Sequence, residues 1–260
     1  MSEITKRRLF YDIETSPNIG FFWRSGYKLG ISPDNIIHER AIICISYKWS
    51  DEDEVHTLTW NKNQDDGPML RKFVKIINKA HEIVAHNGDR FDVKWIKGRC
   101  LFHRIPIPHK LVTVDTCKQA RKHFNLNSNK LDYLGEYLGV GRKHETGGFD
   151  LWKSIVLDKN PESLTKMMQY CEQDVLLLER VYEQMKSYID VKFNYAVLNG
   201  ATKYCCPECG SARVKVHQTI TTPAGTIQRK MVCHKGCGRY FTISNKSYMD
   251  LLVDRRENKA

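Results

Sequence analysis

The stretch Arg8-Leu9-Phe10-Tyr11-Asp12-Ile13-Glu14-Thr15 carries an apolar run directly into two carboxylates. Residues 8–13 read as a first strand ending in charge. Asp12 and Glu14 stand two apart, so on a strand they point to one face and converge. An apolar strand holds such a pair on a rigid edge, where a mobile loop would not.

Outward from this strand, apolar runs at 41–49 and 55–60 flank the acidic turn Asp51-Glu52-Asp53-Glu54 and predict a hairpin. Met69, Leu70, Phe73, Ile76 and Ile77 follow a helical period. Residues 82–85 return to a short strand, Val93, Trp95 and Ile96 continue into a helix, and 111–114 reads as a fifth strand. The longest periodic segment opens at Asn160-Pro161, a capping residue followed by proline at the first helical position. It runs through Leu164, Met167, Met168, Cys171, Val175, Leu178, Val181 and Tyr182 as a helix of about 25 residues. Strands first, then alternating helices and strands, imply an α/β fold built on a mixed sheet flanked by helices. The pattern lapses at 194–202. The expected organisation is a first domain over 1–195, a linker over 196–203, a small β domain over 204–245 and a basic tail over 246–260.

With 260 residues, 41% hydrophobic and 27% charged, the chain has the composition of a core-forming protein and not of a disordered one. No apolar stretch approaches 18 residues, and no apolar run of signal-peptide length follows the basic N-terminus. A cytoplasmic protein without a membrane partner is expected. Lys and Arg number 41 against 30 Asp and Glu, a net of +11 that suits a polyanionic partner such as nucleic acid. From Ala201 onward there are eleven basic against four acidic residues, a net of +7, so most of the excess sits at the C-terminal end. Of nine cysteines, Cys44, Cys100, Cys117 and Cys171 lie scattered among apolar neighbours and read as reduced core residues.

Two further acidic sites accompany the first. Asn87-Gly88-Asp89-Arg90-Phe91-Asp92 follows the strand at 82–85 and places Asp92 in the first turn of the next helix, where the helix dipole favours a carboxylate. Asp89 or Asp92 could equally be a cap. Inside the long helix, Tyr170 and Asp174 are four apart and share one largely buried face. A carboxylate aimed into a core needs a cation, either a Lys or Arg or a metal. Asp12, Glu14, Asp92 and Asp174 together are four hard oxygen donors of the kind that gather Mg²⁺ or Mn²⁺. Two such ions can clamp both the attacking and the leaving oxygen of a phosphodiester.

The order Asp12-Ile13-Glu14, then Asn87 to Phe91-Asp92, then Tyr170-x₃-Asp174 resembles the three motifs of the DnaQ-like, or DEDD, exonuclease superfamily on the ribonuclease-H-like fold, in its tyrosine subclass. The form of the second motif and the stretch Asn129-Lys130-Leu131-Asp132-Tyr133-Leu134-Gly135 to Gly139 are similar to the proofreading domains of family B DNA polymerases. The resemblance implies a stand-alone 3′-to-5′ exonuclease that hydrolyses DNA, in preference to RNA, to nucleoside 5′-monophosphates with two Mg²⁺ or Mn²⁺ ions. It implies that Asp12, Glu14 and Asp174 hold the ion that activates water, and that Asp12 bridges to a second ion reached by Asp92. Tyr170 would orient the attacking water, and Thr15, Asn87 and Phe91 would meet the substrate strand. A replication or repair protein is the partner that such a role implies.

The segment 18–31 departs from the family pattern. Its Phe21-Phe22-Trp23-Arg24 and Tyr27-Lys28 interleave aromatics with charge, either as a stacking surface for single strands or as a cover for the sheet edge. Arg142-Lys143-His144 between glycines reads as a basic loop.

Cys206-Pro-Glu-Cys209 and Cys233-His-Lys-Gly-Cys237, separated by 23 residues, have the spacing of a tetrahedral Cys₄ zinc site. Cys205 and His234 are alternative ligands. The β-rich runs between and after these turns resemble a zinc ribbon, stapled by one structural Zn²⁺ because so small a module has little core. Lys215, Arg229, Lys230 and Arg239 on or beside its hairpin suit contact with a nucleic-acid backbone. The competing readings are a non-catalytic nucleic-acid-binding module and a structure-selective endonuclease on the same fold.

Overall fold

The computed structural model describes residues 7–26, 30–143, 147–190 and 192–257. Strand β1 (Arg8–Thr15) is followed by a two-stranded arm, β2 (Ile19–Gly20) with β3 (Ile36–His38), and by the hairpin β4 (Ile42–Trp49) and β5 (Val55–Thr59). Then come α1 (Gly67–Ile77), β6 (Glu82–Ala85), α2 (Asp92–Phe102), β7 (Thr113–Asp115), α3 (Thr116–His123), α4 (Leu131–Tyr137), α5 (Asp150–Val156) and α6 (Pro161–Met185). A short turn α7 (Tyr195–Leu198) leads to β8 (Val214–Thr221), β9 (Ile227–Cys233), β10 (Tyr240–Ser244) and α8 (Asn245–Glu257).

The main sheet has the order β5-β4-β1-β6-β7, with β1 antiparallel to β4 and parallel to β6. β1 is therefore central and packed on both faces. Its alternate residues Leu9, Tyr11 and Ile13 join one core cluster with α1 and α2, while Phe10 faces the other way into a cluster with α4 and α6. By the period of two, Asp12 and Glu14 continue the Phe10 side and so point toward α6. β1 extends to Thr15, beyond the expected end at residue 13, because Glu14 and Thr15 pair with Cys44 and Ile42 of β4. Both acids thus belong to the ladder.

Asn160 caps α6, its Oδ1 accepting from the N–H groups of Glu162 at 2.8 Å and Ser163 at 3.2 Å, and the helix runs the expected 25 residues. Beneath α1, Asp66 ties three elements together. Its carboxylate accepts from the Ile42 N–H at 2.9 Å, from Arg99 Nε at 2.8 Å and from His103 Nε2 at 2.6 Å.

The C-terminal sheet has the order β10-β9-β8 and its own core, in which Met231, Phe241 and Ile243 meet Leu251 of α8. Residues 196–203, expected as a linker, begin inside a packed turn. Tyr195 is fully buried and its N–H donates to Pro207 O at 2.9 Å. The expected tail likewise begins as α8, which the burial of Leu251 holds against β9 and β10. The four scattered cysteines are buried and free. Among the described residues, no helix is long and apolar enough to cross a membrane.

Candidate active site

β1 and α6 bring the first and third acidic motifs together: ligand oxygens of Asp12, Glu14 and Asp174 all lie within 4.8 Å of one another. Asp174 is almost wholly buried, one turn after Tyr170 on the same helix. The Cys171 thiol lies 3.8 Å from an Asp12 carboxylate oxygen and fixes it from the helix side.

The second motif is delivered by the β6–α2 loop. Asn87 takes a left-handed φ of 63°. Gly88 passes so close to Ala85 that a Cβ there would stand 2.5 Å from the alanine methyl. Asp115 clasps this loop, accepting from the N–H groups of Asn87 at 3.0 Å and Asp89 at 3.2 Å while it caps α3. Asp89 is engaged by Thr113 at 2.7 Å and Lys118 at 3.1 Å, and is a structural residue. Asp92 opens α2, is buried, and leaves Oδ1 without a hydrogen-bond partner.

Lys143, read from sequence only as part of a basic loop, is the cation of this site. Its Nζ donates to Asp174 Oδ2 at 2.6 Å and to the Tyr170 hydroxyl at 3.2 Å. Its own backbone N–H is held by Asp132 at 2.8 Å. No periodic pattern marks a lysine that arrives from a loop, so only the tertiary fold discloses it. Among the described residues, Lys143 alone forms an ion pair with any of the four acids.

One lysine does not neutralise this cluster. Burial, then Asp92 and Asp174, hold the Asp12 carboxyl well above the ordinary carboxylate range. Burial and Asp12 push Glu14 up to about 8, and burial pushes Asp92 up to about 7. Burial also raises Asp174, against the pull of Lys143. Burial and Asp174 lift the Tyr170 phenol to about 12, so that it remains protonated and a donor at neutral pH. Crowded carboxylates at this degree of burial are the environment that a divalent cation relieves, and the unpartnered Asp92 oxygen is a further free donor. The hard oxygen set fits Mg²⁺ or Mn²⁺.

Beside the cluster, His86, Asn87, Ser128, Asn129, Asp132 and Lys143 line a hollow of about 550 Å³. Asn87 is part of that lining, whereas Phe91 is half-exposed with its ring 5.9 Å from that of Trp95, and the Thr15 carbonyl is taken by Trp152 Nε1 at 3.0 Å. Phe21, Phe22 and Trp23 are exposed, Trp23 entirely, so they do not cover the sheet edge. Tyr27, Lys28 and His144 lie outside the described residues.

In the C-terminal unit, the sulfurs of Cys206, Cys209, Cys233 and Cys237 lie within 4.8 Å of one another, with 3.5 Å between Cys206 and Cys237 and 3.6 Å between Cys209 and Cys233. Tetrahedral Zn–S bonds of about 2.3 Å place sulfurs roughly 3.8 Å apart, so the four fit that ion. Gly236 is required in the turn, because a Cβ there would lie 2.5 Å from Cys233 Sγ. Cys205 Sγ instead meets the Thr202 hydroxyl at 3.2 Å, and neither it nor His234 joins the group.

The expected nucleic-acid contacts divide. Lys215 is exposed and Lys230 half-buried and unpaired. Arg229 stacks on Tyr248 at 4.7 Å and bonds Asn245. Arg239 is a correction: it is buried against Glu208 and the carbonyls of Ile189 and Asp190, because it braces the unit against the first domain and does not face solvent.

The profile of the RNase H superfamily matches residues 34–186, and the chain belongs to that superfamily. Over 104 residues it is 27% identical to a DNA polymerase of Thermococcus hydrothermalis, a match covering 36% of this chain and 5% of the polymerase. The family B DNA polymerase of Pyrobaculum calidifontis superposes over 70% of this chain and 25% of its own, with a TM-score of 0.54 and 19% identity, a likeness of fold. The chain thus spans a small part of the polymerases it matches. Fold and family are those of the RNase H superfamily, and the acidic cluster is built on β1 and α6 within the matched fold.

Proposed function

We propose that the protein is a metal-dependent 3′-to-5′ exonuclease acting on DNA ends. The observation that carries this reading is the meeting of Asp12, Glu14 and Asp174 within 4.8 Å, with Asp92 outside that group but close enough to raise the Asp12 carboxyl, and one lysine paired among the four acids. Bound there, two divalent cations supply an activated water and neutralise charge developing on the phosphate. Asp12, Glu14 and Asp174 would hold the first, and Asp12 with Asp92 would hold the second. Tyr170 stays protonated and orients the water by hydrogen bonding. Lys143 holds Tyr170 and Asp174 in register and offers positive charge to the scissile phosphate. The hollow between Asn87 and Asn129 receives the terminal nucleotide. In the C-terminal unit the four cysteines hold one structural Zn²⁺, which has no open position for catalysis.

The test uses 5′-labelled single-stranded DNA and RNA with Mg²⁺, Mn²⁺ or EDTA, and Asp174→Ala as the contamination control. A ladder shortening from the 3′ end only with metal, absent in the variant, supports the proposal. Cleavage of circular single strands replaces it with an endonuclease, and no cleavage with any metal overturns it.

A further inference from the structure

A cleft of about 970 Å³ that shares no residue with the acidic centre opens where Tyr188, Asp190, Lys192 and Asn194 meet the C-terminal sheet. It adjoins a second hollow of about 590 Å³ through Asn194, Lys203 and Thr242. One wall follows from strand register. Lys230 pairs with Thr242, and Tyr240 stands two residues earlier, so the three share the face opposite Met231 and Phe241, which are buried on α8. The bulge between Val216 and Gln218 brings His217 to the same face, where its ring meets Tyr240 edge-on at 5.0 Å. Across the cleft stand Tyr188, well exposed, with Lys192 and Lys203.

The charges here are unspent. Among the described residues, no carboxylate pairs with Lys192, Lys203 or Lys230. The carboxylate in the lining, Asp190, is already held by Lys122 at 2.7 Å and His123 at 3.3 Å. Three free ammonium groups along a groove match a phosphate backbone, and two accessible phenol rings match unstacked bases. A small anion needs one focus of donors and a folded acidic protein surface needs no stacking rings, so the combination favours a flexible single strand.

We propose that this cleft is a second nucleic-acid site, which grips a single-stranded segment through Lys192, Lys203 and Lys230 and stacks its bases on Tyr188 and Tyr240. It deepens the nuclease reading, on which it rests, by placing the hold on substrate between the two units and away from the residues that cut.

The test measures binding of a fluorescein-labelled 20-mer single strand by anisotropy from 50 to 300 mM salt, in the Asp174→Ala background. Lys192→Glu, Lys203→Glu and Lys230→Glu are combined in one variant. Its control carries Lys72→Glu, Lys75→Glu and Lys79→Glu, the same change of net charge around the exposed face of α1. The cleft variant is expected to bind at least tenfold more weakly, with a slope of log K against log salt shallower by about 2, the value for three lost single-strand contacts. Tyr240→Ala should weaken binding about tenfold with the salt slope unchanged. Equal losses in cleft and control variants would reduce the effect to net charge and overturn the proposal. Unchanged binding in the cleft variant, or no binding by the parent, also overturns it, the former leaving the cleft to a protein partner. Binding without cleavage by the wild-type chain sinks the exonuclease reading instead and leaves the cleft to the same slopes.

Discussion

At the residue scale, chemistry depends on how one lysine is shared among crowded acids. Lys143 reaches both Asp174 and Tyr170, so its loss frees Asp174 to repel Asp12 and leaves the phenol without its anchor. Lys143→Ala should lower kcat by about two orders of magnitude while changing KM much less, since the group acts on developing charge. Single-turnover cleavage separates the two, and an unchanged kcat would remove Lys143 from the chemistry. Tyr170→Phe keeps the ring and deletes the donor. It should cost about tenfold to a hundredfold in kcat with the metal dependence unaltered.

At the scale of elements, the site rests on how α1, α2 and β4 are clamped. Asp66 is fully buried and meets Ile42, Arg99 and His103. Burial alone would raise its carboxyl, but the Arg99 bonds, the Ile42 N–H and His103 outweigh it, and the pKa is lowered in the folded chain. A carboxyl depressed on folding stabilises above its unfolded pKa, about 3.9, and that contribution fades as pH falls through the folded value. Asp66→Asn should therefore cost about 3 kcal/mol at pH 7, because Arg99 is left without its charge partner. Urea titrations at pH 7, 5 and 3 should show the gap between variant and wild type narrowing only at the lowest pH. A gap that widens in acid would contradict the assignment.

At the scale of the whole molecule, two units are joined by a buried ionic network. Arg8 Nε donates to Glu82 at 2.5 Å and its Nη2 to Glu208 at 3.3 Å, between the rings of Tyr182 and Tyr195, and Glu208 also meets Arg239. Glu208 lies between two of the four clustered cysteines, so the geometry of that cluster and the docking of the unit are coupled. Stripping metal with a strong chelator should release the C-terminal unit to proteolysis, while 8–185 keeps its main sheet. Native mass spectrometry should find one zinc per chain before treatment. Glu208→Ala should expose the same cleavage sites with zinc retained, because buried Arg239 loses its carboxylate while Arg8 keeps only Glu82. Resistance equal to wild type in that variant would mean that the apolar contacts alone dock the unit.

Alternation and period carry local information, and they were sufficient for the sheet and the long helix: Leu9, Tyr11 and Ile13 against Phe10, and Asn160-Pro161 ahead of 25 helical residues, are consequences of burial acting residue by residue. The same arithmetic placed Asp12 and Glu14 on one face and Tyr170 and Asp174 on another. It also spaced four cysteines as ion ligands. What the chain alone does not encode visibly is which distant groups meet. Lys143 comes from a loop, Asp115 holds the Asn87 turn from another strand, and Arg239 is drawn inward by Glu208, because a buried charge takes its partner from wherever the fold brings one. The cleft of Lys192, Lys203 and Lys230 is likewise a product of docking, since three lysines scattered over 39 positions become one groove only when two separately folded units close against each other.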